Sequence, residues 1–137
     1  MYDRSDPRSA LASAKPAAPM PGSFAPPQYG RFYDSAADET SATGKSWYIR
    51  GKNFVLCYSE ATKSAVFARD AQVDEYAVIL PDAGSKARIE AGVESRDIDG
   101  NTLDFVPPGP SRITMLTAGR LVRLVTARAA DLVAKCP

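Results

Sequence analysis

The chain has 137 residues, 45% of them hydrophobic and 24% charged, with a formal net charge of +1. That length suits one domain with a modest core, and the composition is that of an ordinary soluble globular protein. The near-zero charge gives no reason to expect nucleic acid or an anionic membrane as a partner.

No apolar run approaches the roughly 20 residues that cross a bilayer. The start, Met1 to Pro7, lacks the basic region and apolar stretch of a secretory signal, so a cytoplasmic location is expected. Six of the eleven prolines fall within the first 27 residues, among many Ala, Ser and Gly. Residues 1–44 show no apolar periodicity and read as a flexible Pro/Ala-rich arm that cannot offset its ordering entropy by burial. The aromatics Phe24, Tyr29, Phe32 and Tyr33 leave a second reading open, in which part of the arm packs on the domain or on a neighbouring subunit.

From Lys45 the texture changes to short β-rich runs separated by turn residues. Strands are predicted at 46–49, 53–58, 64–69, 75–80, 87–90, 93–98, 102–106, 112–116 and 120–126. Asp99-Gly100-Asn101 reads as a two-residue hairpin turn, because both central positions tolerate positive φ. Many short, evenly spaced strands point to an all-β sandwich or barrel over residues 45–126. Residues 127–137 read as a short C-terminal helix and tail, with Thr126 as its N-cap. Cys57 lies in an apolar run and Cys136 is penultimate. With no CxxC pairing they read as a buried small hydrophobe and a free thiol, with a disulfide or reactive thiol as the alternative.

The run Gly100-Asn-Thr-Leu-Asp-Phe-Val-Pro107-Pro108-Gly109-Pro110-Ser111-Arg112 resembles the second cupin motif: a glycine, a short strand, Pro-x-Gly, two residues and a histidine. Arg112 takes the histidine position. The stretch from Phe67 to Gly84 resembles the frame of the first motif, with Glu75 at its glutamate, Arg69 and Ala71 at its two histidines, and Gly84 or Asp82 at its closing glycine. The resemblance implies a single cupin-type double-stranded β-helix, a jelly-roll barrel, either a minimal single-barrel form or one half of a two-barrel cupin. It also implies that Arg69, Glu75 and Arg112 converge in the barrel mouth, with Trp47, Arg50 and Tyr58 on early strands that can face it.

The chain contains no histidine. The usual three-histidine metal set of the cupins is therefore missing, and an arginine has no lone pair to replace it. No metal and no cofactor is expected. Ser-His-Asp and Cys-His pairs are excluded, and neither GxGxxG nor GxxxxGK[ST] occurs. The expected role is binding of a small carboxylate or phosphate by arginine forks, with Glu75 orienting them. A purely structural reading has Glu75 neutralise the arginines. Two rivals stand beside anion binding: an assembly barrel forming homodimers, and a metal-free isomerase or lyase that uses Glu75 or Tyr58. No catalytic assignment follows from the sequence. Arg123, inside an apolar run, is either a pocket residue or an outward edge charge. Asp97, Asp99 and Asp104 read as solvated acids.

Overall fold

The structure, a computed structural model, describes residues 29–137. Most of the predicted arm, including Phe24, lies outside the described residues. Ten strands form two antiparallel sheets. They are β1 (Glu39–Ser41), β2 (Gly44–Arg50), β3 (Phe54–Ala61), β4 (Val66–Gln72), β5 (Tyr76–Leu80), β6 (Lys86–Ala91), β7 (Glu94–Asp99), β8 (Thr102–Val106), β9 (Gly109–Met115) and β10 (Gly119–Thr126). One sheet has the order β1-β2-β3-β10-β5-β8 and the other β4-β9-β6-β7. After β3 each strand crosses to the other sheet, except that β6 and β7 form a hairpin in the smaller one, the winding of a jelly roll.

All nine predicted strands form, with ends shifted by a few residues. The sequence reading missed β1, which lies in the segment assigned to the arm and pairs with β2. The predicted helix is cut to one turn, α1 (Ala130–Val133), with Ala129 as its N-cap. The Thr126 hydroxyl instead accepts a hydrogen bond from the Arg128 amide.

Gly100-Asn101 joins no hairpin, because β7 and β8 belong to different sheets. It is a corner that carries the chain across the sandwich. Asn101 has φ of 60°, as the turn chemistry predicts. A Cβ at Gly100 would lie 1.9 Å from the Asp82 carbonyl oxygen, so the glycine is required by close approach of backbone to backbone.

Alternate residues of both sheets fill the space between them, with Val55, Val78, Leu80, Val106, Ile113 and Leu121 fully buried. Cys57 belongs to this core and Cys136 packs against its margin; both are free thiols, and burial pushes both upward in pKa.

Candidate functional site

One irregularity in β4 decides what faces the interior. Between Arg69 and Gln72 its pairing with β9 shifts by one residue: Arg69 lies opposite Ser111, and Gln72 opposite Gly109. This bulge puts Arg69 and Gln72, three positions apart, on the same inner face. The Arg69 Nε donates to Gln72 Oε1 at 2.9 Å. Gly109, with φ of 102°, opens β9 in a conformation that glycine adopts freely.

Side chains alternate along β9, so Ser111, Ile113 and Met115 point inward and Arg112 points out. Arg112 stands on the solvent face between Ala68 and Glu90. Glu75 is exposed and precedes β5, whose first residue, Tyr76, points inward. The Tyr76 hydroxyl and Ser111 Oγ share a buried hydrogen bond of 2.9 Å. Of the expected trio only Arg69 is in the interior. At Glu75 and Arg112 the inward position belongs to an adjacent residue, and a one-residue difference reverses the face.

Trp47 and Tyr58 are likewise displaced from the mouth. They are cross-strand partners on the outer face of the larger sheet. Phe32 stacks on Tyr58 at 4.7 Å between ring centroids, and the Trp47 indole donates to the Ser35 carbonyl. Part of the aromatic arm does pack on the domain, through Phe32, while Tyr29 and Tyr33 stay exposed. Arg50, at the exposed end of β2, borders the space beneath this segment. Asp97, Asp99 and Asp104 each pair with a basic side chain: Arg88, Lys86 and Arg96.

A cavity lies where the sheets part, between β1–β2 and β4, with α1 on its rim. It measures about 420 Å³, within the range of small-molecule sites. Arg123 of β10 points into it from the inner face, flanked in the sheet by Cys57 and Val78. Its guanidinium carbon lies 4.6 Å from the centroid of the Phe67 ring on the opposite sheet. Arg123 is 5% exposed, and its Nε has no hydrogen-bond partner. Among the described residues no carboxylate pairs with it.

Apart from the exposed Lys45, the other charges of the cavity are paired. Both terminal nitrogens of Arg69 donate to the Asp131 carboxylate, the longer contact at 3.0 Å. Tyr48 donates its hydroxyl to Glu39 at 2.6 Å, and Lys135 pairs with the same carboxylate at 2.9 Å. The Tyr48 hydrogen bond, then Lys135, holds Glu39 below its ordinary value, and the Arg69 fork does the same for Asp131. Burial pushes the Tyr48 and Tyr76 phenols upward. Four cations thus line the cavity with two carboxylates; of the two left unpaired among the described residues, Lys45 is exposed to solvent and Arg123 is buried.

Cupins that use a metal hold it with histidines inside the barrel. Here the two carboxylates of the cavity, Glu39 and Asp131, are each already paired with a cation, the other polar groups are cations, hydroxyls and an amide, and a metal cation beside Arg123 and Arg69 would be repelled. This donor set does not fit a metal ion. Among the described residues, no group of three Cys, Asp or Glu side chains is placed to hold one. Glu39, Asp131 and Lys135 were missed in the sequence because they join the site from segments read as arm and tail.

No protein-family model matches the sequence, and no curated protein matches it. Solved structures do resemble it in shape. An RmlC-like cupin from Shewanella frigidimarina superposes with a TM-score of 0.63 at 11% identity, over 77% of this chain and 96% of that one. KdgF from a Halomonas species gives 0.60 at 11% identity, over 72% and 94%. A cupin superfamily protein from Desulfitobacterium hafniense gives 0.55 at 8% identity, over 64% and 81%. With two antiparallel sheets wound as a jelly roll, the chain has the cupin fold.

Proposed function

We propose that the protein binds a small anionic ligand, a carboxylate or phosphate, in the cavity at Arg123. One observation carries this reading: a nearly fully buried guanidinium faces the cavity with an unpartnered Nε and, among the described residues, no paired carboxylate. Arginine cannot relieve burial by losing its proton. A buried charge left without a counter-charge is strongly unfavourable, and an anion in the cavity removes that penalty while accepting charge-assisted hydrogen bonds. Phe67 holds the guanidinium plane, which sets the direction in which its fork is offered.

A thermal-shift panel of small carboxylates and phosphates, run on the wild type and Arg123→Met, tests the reading. Stabilisation of the wild type by at least one anion, absent in Arg123→Met, is the expected result. Equal shifts in both forms would overturn it. The acid–base reading has no support from this geometry, since Glu75 and Tyr58 both stand outside the cavity.

A second reading rests on the outer face of the larger sheet. Cross-strand neighbours there form two apolar rows, Leu103-Ile79-Val122-Tyr58-Trp47 and Phe105-Ala77-Leu124-Leu56-Ile49. Phe32 covers one end, while Leu103 and Phe105 at the other remain 57% and 63% exposed. An apolar face of this extent suits assembly with a second copy. Light scattering on the purified protein tests it: a dimer is expected, and a monomer at all concentrations would remove the assembly reading.

A further inference from the structure

Resting on the anion-binding reading above, we infer that the ligand carries two acidic groups, one on Arg123 and the other taking the place of the Asp131 carboxylate on Arg69.

Arg69 and Arg123 line the same cavity. The Arg69 Nε is engaged by Gln72, so its two terminal nitrogens form a fork that faces outward. Asp131 occupies that fork with both oxygens, the arrangement that a free carboxylate adopts on a guanidinium. The partners differ sharply in exposure: the Arg69 side chain is 10% exposed and that of Asp131 is 60% exposed. The carboxylate is therefore the partner that can leave. It would return to water at little cost, whereas Arg69 cannot do without a counter-charge.

Asp131 sits in the one-turn helix α1, whose other anchors are the buried Ala129 and Leu132 and the Lys135–Glu39 pair. Its carboxylate is tethered, with an effective concentration near Arg69 on the order of millimolar or higher. A monoacid must compete against that tether from bulk solution. A diacid already held at Arg123 presents its second group from a tether of its own, so the competition becomes even. The cavity thus selects diacids over monoacids, and α1 loses a polar anchor when one binds.

Isothermal titration of the full-length protein with acetate and with the series from succinate to adipate tests this. In the wild type at least one diacid should bind roughly tenfold or more tighter than acetate, and Asp131→Asn should tighten that diacid by a further factor on the order of ten. Addition of the diacid should also speed hydrogen exchange at the Val133 and Ala134 amides, which bond to carbonyls at the start of α1. Equal affinity for monoacid and diacids, or no gain in Asp131→Asn, would overturn the inference. If Arg123→Met still abolishes binding in that event, the anion site stands and only its second subsite falls. If Arg123→Met binds as the wild type does, the anion site falls with it, and a wild type that binds none of these acids overturns both.

Discussion

A guanidinium cannot shed its proton to escape burial, so Arg123 is a stability liability kept in the middle of the larger sheet. Burying an ion costs on the order of several kcal/mol in desolvation, a penalty that an apolar side chain of similar length does not incur. Arg123→Met is therefore expected to unfold at equal or higher denaturant in ligand-free buffer, even as it loses anion binding. A clear destabilisation in chemical denaturation would show that the charge is already compensated. Arg112 is the control: exposed on the opposite sheet, its change to Ala should alter stability by no more than about 0.5 kcal/mol and leave anion binding untouched. These two arginines also show where the sequence was legible. On β9 the alternation of Arg112, Ile113, Thr114 and Met115 already puts Arg112 on the polar face, but the motif spacing argued for the inside. On β10 the alternation is silent, because Leu121, Val122, Leu124 and Val125 are apolar on both faces. Arg123 stayed undecided for that reason.

At the scale of elements, strands were readable because each is a short β-prone run between turn residues, and the core side chains follow from their period. What was not readable is how the chain closes the cavity. β1 is three exposed residues with no apolar signal, and the bulge in β4 leaves no mark in composition. α1 is pinned by carboxylates, which makes this wall sensitive to acid. Asp131 and Glu39 have ordinary values of 3.8 and 4.5, and both are lowered in the folded protein, chiefly by the hydrogen bonds from Arg69 and from Tyr48. A lowered folded-state pKa gives stability that is complete above the unfolded value and is lost as pH falls through the folded one. Hydrogen exchange at Leu132–Cys136, corrected for its intrinsic pH dependence, should show constant protection from about pH 7 to about pH 5, then fall below about pH 4 while the core strands stay protected. Simultaneous loss in core and α1 would show that these pairs do not hold the segment separately.

For the whole molecule, the contrast between its two outer faces is the main feature. The smaller sheet presents charges to solvent, with Arg88–Asp97 and Lys86–Asp99 side by side. In the larger sheet, Asp104 of the edge strand β8 lies opposite the inward Val78 and pairs with Arg96 of the smaller sheet, while the outer face presents two apolar rows. If copies assemble through that face, Phe105→Lys should shift the protein to monomer in light scattering without changing its fold, and an unchanged assembly would place the contact elsewhere. The sandwich itself depends on its corners. Gly100→Ala drives a methyl into the Asp82 backbone and is expected to cost on the order of 2–4 kcal/mol in chemical denaturation.

The central claim is that an anion enters the cavity and meets Arg123. The most direct measurement follows the Nε–Hε resonance of Arg123 by NMR during titration with the acid that stabilises the protein most, assigning the signal by its absence in Arg123→Met. The account predicts a buried, slowly exchanging proton that shifts and saturates with the same dissociation constant as the thermal stabilisation. A resonance that stays fixed while the protein is stabilised would place the anion elsewhere and contradict the account.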